Sequence, residues 1–274
     1  MPFHRFEDLE TVRLTPHLSS AESPIIEGKY LYYCLNQKKA GTGSELHYHP
    51  NELVIFTLEG KVNAVVGKDR RIISPGTLIM IPPNVRHSMK ATEDGPSAYL
   101  YIKDQTWTVV GLAADEEVPD APMSVEEVNE KFDTGTLDDR KGTSIKSDED
   151  SAASTMIIEG VPNCYFELLS SLDAPYSTAT QISWFEGARA AFGFYELPKG
   201  YQETSEAADH ECFYYVIDGK VGVRVGNDRK QASRGDIIEV PLGINYAIDV
   251  SDSIPTRLLA VRSNEFLESK IKAD

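Results

Sequence analysis

The sequence predicts an all-β protein in which two jelly-roll barrels (double-stranded β-helices) are joined by an acidic linker that carries one short helix. Two observations predict this class: short apolar runs bounded by turn residues, and a second half that repeats the first. An acidic stretch between the halves marks the linker. The expected boundaries are residues 1–115 for the N-terminal barrel, 116–158 for the linker and 159–274 for the C-terminal barrel.

Short strands fill the region between residues 41 and 110. Glycine, proline, asparagine and aspartate separate them, as expected of turns. Parallel pairing would require crossover helices, and no segment here is long enough to supply one. The pattern therefore favours an antiparallel barrel built from the runs LVIFTLEG, KVNAVVG, RRIIS, GTLIMIPP and AYLYIKD.

An internal repeat accounts for the length of the chain. The run EGKVNAVVGKDRR from Glu59 aligns with DGKVGVRVGNDRK from Asp218, at an offset of 159 residues. Turn residues recur because both copies need the same backbone conformations. Two copies of one barrel follow, with Gly60 matching Gly219, Gly76 matching Gly235 and Pro82 matching Pro241.

The segment between the copies is strongly acidic. Within it, Ser124 and Glu127 form a Ser-x-x-Glu capping box, and Val125, Val128 and Phe132 mark one helix face. The following run KGTSIKSDEDSAAS is polar and charged, which is typical of a solvated linker.

Two histidines one residue apart provide the first sign of a metal site. His47 and His49 point to the same side of a strand, about 7 Å apart at Cα. Glu45, two residues before His47, points to the same side of the strand. A third histidine, His87, follows the turn at Pro82, and proline fixes that turn because its ring restricts φ. Neutral imidazole is the commonest protein metal ligand.

These two segments resemble the signature motifs of the cupin superfamily, and their repetition resembles a bicupin. The first motif comprises Gly41, His47, His49 and Gly60; the second comprises Gly76, Pro82 and His87, with Asn84 where the family usually has glycine. The resemblance implies the barrel fold and a metal held by His47, His49 and His87. Cupins include oxygenases, isomerases, decarboxylases, lyases and binding proteins, so it does not fix the reaction.

The sequence departs from the family pattern at the usual glutamate ligand. That position is Leu53, and the neighbouring Glu52 should point to the opposite face unless a β-bulge turns it inward. The simplest interpretation is a three-histidine site without a carboxylate. Cupins of that kind include gentisate-type dioxygenases, the β-diketone-cleaving enzyme and thiol dioxygenases.

The second copy has lost the ligand residues, which predicts one metal per chain. At the same offset, the positions of His47, His49, Leu53 and His87 hold Glu206, Ala208, Cys212 and Tyr246. A shifted site at Glu206, His210 and Cys212 is allowed by strand parity, but no ligand from a further strand supports it.

One divalent metal is therefore expected, with Fe(II) favoured on functional grounds and Mn, Ni or Zn as alternatives. Three side chains are candidates for handling substrate. Arg86 could clamp a carboxylate or form a surface salt bridge, Glu45 could move protons, and Tyr101 could face the cavity or the opposite side.

Three functions remain open. The first is an Fe(II) dioxygenase that cleaves a C–C bond of a small oxygenated or aromatic substrate, with molecular oxygen as co-substrate. The second is a non-redox isomerase, lyase or hydrolase acting on a sugar acid or keto acid. The third is a cupin that binds a small molecule without turnover.

Charge and cysteine content restrict partners and compartment. The net charge of −16 disfavours nucleic acids and anionic membranes. Three scattered cysteines argue against a disulfide framework, and no signal peptide or membrane helix is evident. A cytoplasmic location is expected, and assembly as a homo-oligomer stays open.

Overall fold

The structure, a computed structural model, describes residues 1–137, 161, 163–251 and 254–271. The predicted all-β class is confirmed, with antiparallel strands in both halves. The run KGTSIKSDEDSAAS and the second half of the predicted linker lie outside the described residues. In the described ranges, neither of the two α-helices is long and apolar enough to cross a membrane.

The elements are numbered in chain order. In the first half they are β1 Phe3–Arg5, β2 Thr11–Arg13, β3 Glu22–Glu27, β4 Leu31–Lys38, β5 His47–Tyr48, β6 Leu53–Glu59, β7 Val62–Val66, β8 Asp69–Ile73, β9 Thr77–Ile81, β10 His87–Ala91, β11 Ser97–Asp104, β12 Leu112–Ala113 and helix α1 Val125–Asp133. A 3-10 turn spans Phe6–Asp8. In the second half they are β13 Tyr165–Glu167, β14 Gln181–Glu186, β15 Ala190–Leu197, β16 Gln202–Ser205, β17 Cys212–Asp218, β18 Lys220–Val225, β19 Asp228–Ser233, β20 Asp236–Val240, β21 Tyr246–Asp249, β22 Thr256–Ser263 and helix α2 Glu265–Lys270.

The chain divides into two compact units whose limits differ from the predicted boundaries. The C-terminal unit contains Met1–Leu9, Glu27–Leu31 and Asp173–Asp274, and the N-terminal unit contains Glu10–Ile26 and Tyr32–Leu172. Strand pairing explains the difference. Strand β1 pairs with β20, near the other end of the chain, and β13 pairs with β9, so both strands belong to the unit of their partner.

The N-terminal unit contains a seven-stranded sheet in the order β13-β9-β6-β11-β4-β3-β2 and a five-stranded sheet in the order β12-β5-β10-β7-β8. Alternate residues of β6 point into the core, as the period of a strand requires. Leu53 and Ile55 are buried and pack in one cluster with Tyr99 and Tyr101 of β11. The position at which the cupin pattern has its glutamate is therefore part of the apolar interior.

Helix α1 begins where the capping signal predicts. The Ser124 side chain accepts a hydrogen bond from the Glu127 backbone N–H at 3.1 Å, and Val128 of the expected apolar face is buried. The Glu127 carboxylate forms an ion pair with Lys131 one turn later, at 2.7 Å. Such a pair adds a few tenths of a kcal/mol on an exposed helix face.

The C-terminal unit contains a six-stranded sheet in the order β1-β20-β17-β22-β15-β14 and a four-stranded sheet in the order β16-β21-β18-β19. The predicted repeat is visible in its turns, because equivalent backbone hydrogen bonds recur 159 residues apart. Gly67 N–H donates to Arg86 O, and the equivalent Gly226 N–H donates to Asn245 O, both at 2.8 Å. Likewise, Gly76 N–H donates to Thr57 O, and Gly235 N–H donates to Val216 O, both at 2.9 Å.

A buried carboxylate holds residues 27–31 within the C-terminal unit. The Glu211 side chain is 2% exposed and accepts backbone N–H bonds from Lys29 at 2.5 Å, Tyr30 at 2.9 Å and Leu31 at 3.0 Å. Burial raises the pKa of Glu211 to about 6, and the three N–H donors offset part of that rise.

This pKa predicts a pH-dependent contribution to stability. Because the folded carboxyl has the higher pKa, the native state binds more protons, and the contribution of Glu211 to the free energy of unfolding falls as pH rises from about 4 to 7. The total change is about 2 kcal/mol. We expect urea unfolding to show that, across this pH window, the free energy of unfolding of the wild type falls by this amount relative to that of Glu211→Gln. The control is Glu265→Gln, which removes an exposed charge on α2. A difference between the wild type and Glu211→Gln that stays constant with pH would contradict the assignment.

Candidate metal centre

Three buried histidines meet in the N-terminal unit. His47 begins β5 and His87 begins β10, and the two are Cα partners across that strand pair. His49 lies two residues beyond His47 and shares its side of the chain. One ligand nitrogen of each lies within 4.8 Å of the others. The residues predicted as ligands from the sequence are therefore brought together in a group that could hold one ion.

The turn between β9 and β10 positions the third histidine. Asn84 adopts φ 65°, in the left-handed region, and its N–H donates to His49 O at 2.7 Å. Asparagine tolerates this conformation better than most residues, which explains why it can replace the usual glycine. In the C-terminal unit Gly243 has φ 79° and makes the equivalent bond to Ala208 O.

Backbone carbonyls set the tautomer of two imidazoles. His47 Nδ1 contacts Glu45 O and His87 Nδ1 contacts Val85 O, both at 2.8 Å. Because a carbonyl can only accept, each Nδ1 carries the proton and each Nε2 carries the lone pair. His87 Nε2 is buried without a hydrogen-bond partner among the described residues. A buried lone pair with no donor is costly, and a metal ion would satisfy it, so the residues present fit a metal.

Burial also keeps the imidazoles neutral. It lowers the pKa of His47 and His49 well below the ordinary value and that of His87 to about 4. The positive charge of Lys103 lowers the pKa of all three further. At pH 7 each ring therefore offers an uncharged lone pair, the form that binds metals.

Two residues of β11 contact His49. The Tyr101 hydroxyl lies 3.1 Å from His49 Nε2, so the structure brings this predicted site residue to the histidines. Lys103 Nζ lies 2.5 Å from His49 Nδ1 and donates to Val109 O at 2.8 Å. Lys103 is 0% exposed, and burial lowers the pKa of its amine well below the ordinary value.

Lys103 and a glycine were missed by the sequence prediction. Lys103 has the parity of Tyr101 on β11, so strand alternation was the signal that could have identified it. Gly111 carried no comparable signal. A Cβ there would lie 2.7 Å from His49 Cε1 and 2.9 Å from His47 Cδ2. Its N–H donates to Thr15 Oγ1 at 3.0 Å, which fixes the backbone against the two rings.

The other predicted substrate-handling residues make different contacts. The Arg86 guanidinium stacks over the Tyr48 ring at 3.8 Å and donates to Asn84 O at 2.9 Å. The Glu45 carboxylate lies 3.7 Å from Lys90 Nζ, and it is the Glu45 carbonyl that orients His47. Their roles in catalysis stay predictions.

No carboxylate joins the histidine group among the described residues. The Glu52 backbone N–H bonds to Asp104 Oδ2 at 2.6 Å, and Leu53 lies in the core. The shifted site in the C-terminal unit does not form within the part of the chain that the structure describes. His210 instead bonds through Nδ1 to Glu268 Oε1 of α2 at 3.0 Å.

Comparisons with known proteins agree with this architecture. The family described as a cupin domain matches residues 37–103, which include all three histidines. A comparison with curated protein sequences finds no match. The two-barrel chain is similar in structure to oxalate decarboxylase from Bacillus subtilis, a protein with Mn(II) centres, at TM-score 0.65 and 14% identity over 97% of this chain and 78% of that one.

A second structure of oxalate decarboxylase, from work on its substrate binding mode and on a switch of its reaction specificity, is also similar. It gives a TM-score of 0.65 and 15% identity, covering 97% of this chain and 77% of that one. AerE from Microcystis aeruginosa gives TM-score 0.61 and 13% identity, covering 97% and 100%. Such low identity establishes the fold alone. The chain has the two-barrel fold of these structures, and the match to the cupin-domain family lies in its N-terminal barrel, where the two motifs were found.

Proposed function

We propose that the N-terminal barrel is the active site of a metal-dependent enzyme acting on a small anionic substrate. The observation that carries this proposal is the group of three buried, neutral imidazoles, which no carboxylate joins among the described residues. Neutral ligands leave the full charge of a divalent ion uncompensated in a low-dielectric interior, which favours an anionic ligand.

Within this class we favour an Fe(II)-dependent dioxygenase that cleaves a C–C bond of an oxygenated or aromatic substrate. His47, His49 and His87 would hold the ion. When bound, Fe(II) would supply the redox chemistry with oxygen that side chains lack. Leu53 and the other apolar residues of the interior exclude bulk water, and the Tyr101 hydroxyl, beside His49, would hold or move a proton.

An oxygen-uptake screen tests the reaction. Metal is removed by chelation, and the protein is reloaded anaerobically with Fe(II), Mn(II), Ni(II) or Zn(II). We expect Fe(II) protein, and not His49→Ala treated identically, to consume oxygen with at least one of gentisate, salicylates, hydroquinones or 1,3-diketones. No uptake with any of these substrates would contradict the dioxygenase.

A lyase is the second candidate, favoured by the structural likeness to oxalate decarboxylase with its Mn(II) centres. Under this alternative, Mn(II) protein would release carbon dioxide from oxalate or another small dicarboxylate without net oxygen consumption. Measuring carbon dioxide and oxygen in the same vessel separates the two reactions. Absence of both, with a bound small molecule recovered unchanged, would favour a binding protein.

Tyr101→Phe is expected to lower turnover by about 100-fold if the hydroxyl transfers a proton. Metal content should stay at the wild-type level, because a ligand set of three imidazoles is retained. The matched control is Tyr99→Phe, which removes a buried hydroxyl two residues away on the same strand. Equal losses in both variants would assign the effect to packing, and turnover unchanged in Tyr101→Phe would exclude the role.

A further inference from the structure

The C-terminal barrel contains a partly exposed carboxylate among aromatic rings. Glu203 of β16 is paired with Ile248 of β21, whose side chain is buried in the core of this unit. Its two oxygens each accept a tyrosine hydroxyl, Oε2 from Tyr201 at 2.6 Å and Oε1 from Tyr246 at 2.7 Å. The carboxylate is therefore held in one orientation. All three of these hydrogen-bonded residues are partly exposed, so solvent reaches them.

Further aromatic rings continue this cluster, and of these Tyr195 and Tyr214 are buried whereas Trp184 is partly exposed. Tyr214 lies 6.3 Å from Tyr246 between ring centroids, Tyr195 lies 6.0 Å from Tyr214, and Trp184 lies 5.9 Å from Tyr195. Burial raises the pKa of both Tyr195 and Tyr214, and the negative charge of Glu203 contributes to the rise. The carboxylate thus acts electrostatically on Tyr195 and Tyr214.

The charge of Glu203 has no cationic partner in the described part of the chain. Both of its described side-chain contacts are to tyrosine hydroxyls, and it forms no ion pair with lysine, arginine or histidine there. A carboxylate next to apolar rings loses solvation, so a cation nearby would be favourable.

Two exposed apolar residues precede Tyr246 in the chain. Leu242 and Ile244, on the connection that leads to Tyr246, are 40% and 39% exposed. Ile244 O accepts the N–H of Ala208, and Ala208 packs in the same core as the tyrosines. Ala208 stands where the N-terminal barrel has His49, so a methyl group replaces an imidazole at this position.

We propose that the partly exposed cluster of Glu203, Tyr201 and Tyr246 in the C-terminal barrel binds a small organic cation of the alkylated ammonium class. The carboxylate would supply the opposite charge, the partly exposed rings of Tyr201 and Tyr246 would attract the cation through their quadrupoles, and Leu242 and Ile244 would meet its alkyl groups. A hydrated metal ion fits less well, because the described residues place no group of metal ligands here. This site is independent of the function proposed for the N-terminal barrel.

Calorimetric titration of the full chain with tetramethylammonium tests the proposal, and 3,3-dimethyl-1-butanol, whose uncharged tert-butyl group has the size of a trimethylammonium group, serves as the neutral probe. We expect saturable binding of the cation and none of the alcohol. Glu203→Gln should weaken binding at least tenfold, the loss expected when the opposing charge is removed. Tyr246→Phe, which keeps the charge but removes one hydroxyl, should weaken it less. Glu265→Gln removes an exposed carboxylate elsewhere in the unit and should have no effect.

No saturable binding of tetramethylammonium to the wild type would overturn the proposal. So would equal binding of the alcohol, or equal weakening by the Glu203 and Glu265 variants. The comparison of the two probes uses unmodified protein, so it decides the question even if a variant fails to fold. Repeating the titration with metal-free protein keeps the result separate from the metal centre.

Discussion

Replacing His49 by alanine is expected to remove nearly all metal from the protein. Two imidazoles would remain, and two nitrogens hold a divalent ion poorly. Loss of groups that merely orient a ligand already lowers metal affinity by about 10–100-fold, so loss of a ligand should exceed about 100-fold. Elemental analysis after dialysis against a weak chelator measures the effect, and the wild type should retain one metal per chain.

His210→Ala is the matched control, because it removes an imidazole that bonds to Glu268 of α2. This variant should keep its metal. Full occupancy in His49→Ala under the same dialysis would contradict the ligand assignment. A wild-type ratio near two, with one ion surviving in His49→Ala, would show that the C-terminal barrel also binds metal.

Gly111→Ala should disturb the same centre without changing a ligand. The added methyl group would lie 2.7 Å from His49 Cε1 and 2.9 Å from His47 Cδ2, closer than van der Waals contact permits. Because Thr15 holds the Gly111 backbone, the rings must move. We expect metal affinity to fall by about 10–100-fold and the free energy of unfolding to fall by about 1–3 kcal/mol.

Gly95→Ala provides the comparison for this substitution, since nothing among the described residues lies within 4 Å of a Cβ at Gly95. Its metal affinity should equal that of the wild type. If Gly111→Ala loses stability but binds metal normally, the rings adapt and the close approach serves packing. Wild-type behaviour in both measurements would exclude the clash.

The barrel fold and the histidine group could be predicted because both depend on local signals. Turn residues recur at a fixed offset, and strand parity places His47 and His49 on one side. The fold prediction is confirmed. Long-range pairing carries no such signal: nothing in residues 3–5 indicates that they pair with residues 236–238. The predicted domain boundaries followed sequence order, whereas residues 1–9 belong to the C-terminal unit.

The surroundings of the histidines were harder to anticipate. The sequence did not decide which face of its strand Tyr101 occupies. Lys103, two residues later, points to the same side of the strand and was not considered, although both side chains contact His49. Arg86 follows a turn, where direction cannot be read from alternation, and its guanidinium stacks on Tyr48. Gly111 acts through the absence of a side chain, which no motif records.

The pairing of β1 with β20 has a consequence for synthesis on the ribosome. Phe3 leaves the exit tunnel early, but its partner Ile238 is made 235 residues later. Two segments so far apart in the sequence come together more slowly than neighbouring segments do. The C-terminal sheet therefore cannot be completed until almost the whole chain has emerged, and a gene divided between the two barrels would separate this edge strand from its sheet.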